Sequence, residues 1–198
     1  VLYGMKNTHQ INLNKMIDHA QSVKKGIKKS LFIVDMPKNS YKTSKQAIKN
    51  AKMIIKKTGC DGVKMENNPA NLKILKSMCN SKINVMGHIG YTPQFKKKFK
   101  VEGKKISEQI KLLSQAKQIQ DAGAFSIVLE CITKDTAKKI TKSLKIPTIG
   151  IGSSVNCDGQ VLVTDDILGL SGFKPKFVKK YVDLNKNIEK GIKKYRND

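Results

Sequence analysis

Five residues able to do chemistry stand where short apolar runs end. Asp35 follows "LFIV", Lys64 and Glu66 sit in "GVKMEN", His88 lies in "VMGHIG", and Glu130 follows "SIVL". Side chains alternate along an extended strand, so Ile33 and Asp35 would share a face, as would Lys64 with Glu66 and Val128 with Glu130. Three carboxylates and an ammonium gathered at one mouth would suit a hard cation such as Mg²⁺, which takes a few carboxylates and keeps its other positions for water or substrate. Lys64 would then be placed to neutralise a substrate carboxylate. The plainer alternative is that each charge ends its strand in a solvated loop, but four strand-end charges together count against it. His88 fits a hydrogen-bonding site residue or a satisfied core histidine. By themselves these residues point to a metal-assisted lyase or transferase for a small anionic substrate, without fixing the reaction.

Such a constellation needs strands that all end on one side. Apolar runs at 30–37, 61–67, 83–90, 125–131, 146–153 and 159–165 alternate with helical patterns at 44–59, 69–79, 106–123 and 134–144. Ser44 and Ser107 are placed to cap helix starts, Gly59 and Gly123 to end them. Strands alternating with helices mean βα units and a parallel sheet. A doubly wound sheet often carries a G-x-G-x-x-G turn, and "GIGSSVNCDG" does not match it. Functional residues at several strand ends favour a (β/α)₈ TIM barrel over a single domain, residues 1–198. Only six strands are legible, so the barrel reads as N-terminally incomplete. The chain also opens at "VLYGM" without an initiator methionine, and a truncation is expected. From 175 to 195, Phe177, Tyr181, Leu184, Ile188, Ile192 and Tyr195 recur at steps of three and four, predicting an amphipathic helix packed on its own barrel.

The formal charge of +24 would ordinarily suggest an anionic polymer or membrane. Arg196 is the sole arginine, however, and the lysines are scattered as pairs through the helices. Phosphate and base recognition lean on arginine, so this reads as a solvated lysine surface, with no nucleic acid and no membrane as partner. No apolar run approaches the roughly 18–20 residues of a membrane span. Cys60, Cys79, Cys131 and Cys157 form no C-x-x-C pair and lack histidines at zinc spacing, as expected of reduced thiols in a cytoplasmic protein.

The ordered stretches "LFIVDMP", "GVKMEN", "VMGHIGYTPQ", "KVEGK", "AGAFSIVLEC", "IPTIGIGS", "CDGQVLVTDDILGL" and "GFKPKFVKKY" together resemble the ketopantoate hydroxymethyltransferases. The resemblance implies a TIM barrel in a cytoplasmic homo-oligomer, typically a decamer. It implies transfer of a one-carbon unit from 5,10-methylenetetrahydrofolate to the 2-keto acid 3-methyl-2-oxobutanoate, giving 2-dehydropantoate for pantothenate synthesis. Carried over by motif, Asp35 resembles a Mg²⁺ ligand that also approaches the keto acid, Lys64 the contact to its carboxylate, Glu66 a second metal-site acid and Glu130 the catalytic base. His88 joins the substrate-binding set.

The chain departs from the family pattern at several points. An Asp-Ser pair that supplies another metal ligand precedes the part matching "VLYGM". Phe-Gly after "DMP" is replaced by Lys38-Asn39, the glycines after the glutamate by Asn67-Asn68, and the loop before "KVEGK" is about three residues shorter, by inspection of the family pattern. These differences bear on folate binding and loop order. Another barrel that makes or breaks C–C bonds in 2-keto acids, and an inactive remnant, are the competing readings.

Overall fold

The computed structural model describes residues 4–5, 7–96, 98–172 and 175–198. Val1 to Tyr3 of the opening stretch, and Phe173 and Lys174 of the 172–181 motif, lie outside the described residues. Six strands, β1 (Ile33–Asp35), β2 (Gly62–Lys64), β3 (Val85–Gly90), β4 (Ser126–Glu130), β5 (Thr148–Ile151) and β6 (Gly159–Gln160), make one sheet. Their spatial order equals their chain order, and every neighbouring pair is parallel. A doubly wound sheet reverses direction partway through its order, and this one does not. The fold is therefore an arc of six strands of a (β/α)₈ barrel, with β1 and β6 each paired on one side among the described residues.

Helices α2 (Ser44–Thr58), α3 (Leu72–Asn80), α4 (Ile106–Asp121) and α5 (Lys134–Ser143) form the outer layer. Each buries a stripe at steps of three and four: Ala47, Ala51, Ile54 and Thr58 on α2; Leu112, Ala116 and Ile119 on α4. The alanines let the helices approach closely, and the face they cover, carrying Val34, Val63, Val85, Ile127 and Leu129, is buried throughout. Ile127 is fully buried. Ile127→Val should cost about 0.5–1.5 kcal/mol in a urea titration, with an unchanged slope against denaturant.

Several boundaries differ from the sequence expectation. Thr43 rather than Ser44 caps α2, its hydroxyl accepting from Gln46 N–H, while α4 begins at Ile106 and leaves Ser107 inside the helix. Gly59 does end α2, with a left-handed φ of 63°. A further helix, α1 (Leu13–Lys24), precedes β1 and buries only Ile17 and Ala20. The short α6 (Thr164–Ile167) begins inside the apolar run 159–165, of which only Gly159 and Gln160 form strand.

The largest correction concerns the C-terminal helix. It forms α7 only over Leu184–Asn197, with Asp183 accepting from Lys186 N–H at its start. Tyr181, before it, and Leu184, its first residue, hydrogen-bond to the α6 region instead, Tyr181 N–H to Ile167 carbonyl and Leu184 N–H to Leu168 carbonyl. None of α7 is buried, and Ile188, Ile192 and Tyr195 are exposed, so the helix does not pack on its own barrel.

Candidate active site

Strand register explains why the five residues meet. Asp35 is the register partner of Lys64, His88 of Val128, and Glu130 of both Gly90 and Ile151. Register partners in a parallel sheet point to the same side, so Asp35, Lys64, His88 and Glu130 all project from the concave face. Glu66 lies two residues beyond Lys64, where Met65 N–H to Met86 carbonyl and Asn67 N–H to His88 carbonyl continue the ladder. All five line one cavity of about 670 Å³ at the C-terminal ends of the strands, the end at which TIM barrels carry their active sites. Met5, Asn7, Thr8, Ile11 and Met16, from the segment entering α1 and from α1 itself, also line it. His9 ties that segment down, its Nε2–H donating to Pro93 carbonyl at 2.7 Å while Nδ1 faces Lys38 Nζ at 3.2 Å.

Lys64 Nζ lies 2.8 Å from Asp35 Oδ2 and 3.4 Å from His88 Nδ1. The other Asp35 oxygen, Oδ1, is buried with no hydrogen-bond partner. His88 is 2% exposed; burial, and then the Lys64 charge, lower its pKa from the ordinary value, so the ring is neutral near pH 7. With Nδ1 accepting from Lys64, the ring proton belongs on Nε2, which sits 3.0 Å from Glu130 Oε2 but not in line for a hydrogen bond. The contact is thus a neutral imidazole beside a carboxylate.

Glu66 is 2% exposed, and burial pushes its carboxyl up to about 7. The N–H of Gln94 and the charge of Lys64 oppose that rise, while the Asp35 and Glu130 charges add to it. Gln94 donates its main-chain N–H to Glu66 Oε2 at 2.9 Å. Its side chain bridges Tyr41 hydroxyl, 2.6 Å from Oε1, and Met36 carbonyl, 3.0 Å from Nε2. Burial and the nearby carboxylates raise the Tyr41 phenol, which therefore stays a donor. Gln94 and Tyr41 were not singled out from sequence. The "TPQ" motif was visible, but nothing local pairs it with a tyrosine on another loop.

The departures from the family pattern have structural work in this chain. Asn39, standing where the pattern has glycine, adopts φ 70°, a conformation that asparagine enters more readily than most residues. Asn67 Oδ1 accepts from His88 N–H at 3.0 Å, Asn71 Nδ2 donates to Glu66 carbonyl at 2.8 Å, and Asn68 caps the short helix Pro69–Asn71. These contacts hold Glu66 and His88 where glycines would offer no side chain. Gly90 has the opposite requirement: at φ 96°, a Cβ there would lie 2.1 Å from Glu130 carbonyl oxygen. Only glycine lets β3 close against the strand end that carries Glu130.

As a cation site, the cavity offers two carboxylates. Asp35 contributes an unpartnered buried oxygen, and Glu66 a buried carboxylate destabilised as an anion by its surroundings. No group of three or more His, Cys, Asp or Glu side chains with metal-holding geometry occurs among the described residues. Two carboxylates suit Mg²⁺, which commonly binds through one or two and fills its octahedron with water and substrate oxygens. The four cysteines are free, and burial pushes Cys131 up to about 12 and Cys79 up to about 11, so neither is a ready nucleophile. Among the described residues no helix is long and apolar enough to cross a membrane.

Comparison with known proteins adds to this geometry. The family model described as ketopantoate hydroxymethyltransferase matches residues 1–198. A protein from Pelagibacter ubique (strain HTCC1062) named 3-methyl-2-oxobutanoate hydroxymethyltransferase is 50% identical over 198 residues, 100% of this chain and 77% of that protein. One of the same name from Clostridium botulinum (strain Alaska E43 / Type E3) is 44% identical over 200 residues, 98% of this chain and 73% of its own length. Among solved structures, 2,3-dimethylmalate lyase, of the PEP mutase/isocitrate lyase superfamily, aligns with TM-score 0.57 at 13% identity, over 75% of this chain and 54% of the other. Phosphonopyruvate hydrolase aligns with TM-score 0.58 at 11% identity, over 76% of this chain and 55% of the other. At these identities the two structures speak to the barrel fold alone.

Proposed function

This chain belongs to the ketopantoate hydroxymethyltransferase family, and from that premise we propose that its cavity carries the hydroxymethyl transfer named for its relatives. The overall change would convert 3-methyl-2-oxobutanoate, 5,10-methylenetetrahydrofolate and water into 2-dehydropantoate and tetrahydrofolate. The observation that supports this most is the convergence of Asp35, Lys64, Glu66, His88 and Glu130 on one 670 Å³ cavity.

Each residue has a distinct task in this reading. Lys64 receives the keto-acid carboxylate, leaving its place on Asp35. Asp35 and Glu66 would hold Mg²⁺, which when bound supplies a Lewis acid to steady negative charge on the keto oxygen. Glu130 removes the C3 proton, made acidic by the neighbouring carbonyl. The neutral His88, with its ring nitrogens beside Lys64 and Glu130, accepts from Lys64 and adds no charge of its own. The carbon freed of its proton forms the new C–C bond to the folate-borne methylene. Met5, Ile11 and Met16, which line the same cavity, give the branched alkyl group apolar surface.

Proton exchange at C3 of 3-methyl-2-oxobutanoate in D₂O, followed by NMR with Mg²⁺ present, tests the reading directly. Exchange well above the buffer rate is expected. A protein that binds Mg²⁺ yet leaves C3 protonated would not be acting by this route.

Proton competition at Glu66 gives a second expectation. A cation needs the ionised carboxylate, and a carboxyl titrating at about 7 is mostly protonated at pH 6 and mostly ionised at pH 8. Apparent Mg²⁺ affinity without substrate should therefore rise about tenfold from about pH 6 to about pH 8, as one proton is released through this group. Calorimetry across that range checks it, and a flat profile would remove Glu66 from the cation site.

A further inference from the structure

Gln94 ties together three loops at the cavity mouth. Met36 and Tyr41 lie between β1 and α2, Glu66 follows β2, and Gln94 lies between β3 and α4. Its side-chain amide accepts from Tyr41 hydroxyl and donates to Met36 carbonyl. An amide fits that pair in one orientation only, since one end accepts and the other donates. Gln94, Tyr41 and Glu66 are all buried, at 6%, 5% and 2% exposure, which makes each of these contacts costly to leave unmade. The loop's own turn uses Thr92 carbonyl to accept from Phe95 and Lys96 N–H, leaving Gln94 N–H for Glu66 Oε2. The edge of the Phe95 ring against Tyr41, centroids 6.5 Å apart, packs the same two loops together.

We propose that Gln94 is a positioning residue that sets the Mg²⁺ affinity of the cavity: its side chain locks the loop so that its main-chain N–H engages Glu66 Oε2 and directs the other carboxylate oxygen to the cation. The inference rests on the reading of Glu66 as a cation ligand. With the lock in place, Glu66 pays little in lost freedom when the cation arrives. Without it, the loop's N–H drifts and the carboxylate rotates among orientations, only some of which serve the metal. Tyr41 acts one step further back, by holding the amide end of Gln94. A partner one shell out from a ligand typically changes metal affinity by about 10- to 100-fold.

The test measures Mg²⁺ dissociation constants by calorimetry, without substrate and well below the melting temperature of each protein. The parent chain, Gln94→Met, Tyr41→Phe and the double variant are compared. Gln94→Met, close in shape but unable to bridge, should bind about tenfold more weakly. Tyr41→Phe should shift binding the same way by a smaller factor. The double variant should bind no more weakly than Gln94→Met, because both act through one chain of contacts. Binding by Gln94→Met within about twofold of the parent, with only its melting temperature lowered, would mean that the side chain packs and does not position. Independent, multiplying losses in the double variant would also overturn the proposal. If Gln94→Met does not fold, Tyr41→Phe decides: weaker binding supports the lock, unchanged binding sinks it. A parent chain that binds no Mg²⁺ removes the functional reading itself, an outcome distinct from normal parental binding with unaffected variants.

Discussion

Glu130→Gln should slow C3 proton exchange of 3-methyl-2-oxobutanoate by about 10²–10⁴-fold, the usual worth of a positioned general base. The substitution keeps size and shape but removes the basic lone pair, so it separates chemistry from folding. Glu130 ends β4 on the concave face, with Oε2 3.0 Å from His88 Nε2, and of the three acids it is the one not assigned to the cation. Asp35 is engaged by Lys64, and Glu66 by the Gln94 N–H. Mg²⁺ affinity and melting temperature should therefore stay close to those of the parent. Exchange within about tenfold of the parent would assign the base elsewhere, because a residue that merely lines the cavity would not be worth more.

The parts of this site legible in the sequence are those that follow from strand periodicity. Short apolar, β-branched runs mark the positions of β1 to β5, and the period of two pairs Ile33 with Asp35, Lys64 with Glu66 and Val128 with Glu130, which converge only if the strands line a barrel. The register then brought Asp35 beside Lys64, an ion pair that alternation alone does not reveal, because it depends on which residues of separate strands align. The polar lock around Glu66 was beyond reach for the same reason. Tyr41 and Gln94 are 53 residues apart, and Met36 and Gln94 are 58 apart. Helix α1 was missed because "LNKMIDHAQSVK" buries only two side chains and dilutes its apolar spacing with polar residues. The opposite error arose at the C-terminus. Phe177 and Tyr181 continue the spacing of α7, yet Phe177 lies against Gly152, where a Cβ would meet its ring at 2.8 Å, and Tyr181 N–H is taken by Ile167. Tertiary contacts claimed those residues before a helix could, which periodicity has no means to register.

Lys64→Met should split two properties that a generally damaged site would lose together. In the absence of substrate the Lys64 ammonium sits on Asp35 Oδ2, so it competes with a cation for that carboxylate. Measured well above the pH at which Glu66 titrates, where loss of the charge that helps keep its carboxyl down no longer matters, removing Lys64 should leave Mg²⁺ affinity unchanged or raise it, since Asp35 is freed and one positive neighbour is gone. The keto acid, by contrast, loses the only lysine that lines the cavity among the described residues. A charge-assisted hydrogen bond to a carboxylate contributes about 1.5–3 kcal/mol, so KM for 3-methyl-2-oxobutanoate should rise about 10- to 100-fold. A methionine keeps most of the stem volume, which limits collapse of the pocket around His88. His88 would lose the cation that faces Nδ1, one of the two influences lowering its pKa, and its readiness to take a proton should rise accordingly. Equal losses of Mg²⁺ and keto-acid binding would contradict this division of labour. They would mean that Lys64 supports the architecture of the cavity and is not the group that meets the substrate carboxylate.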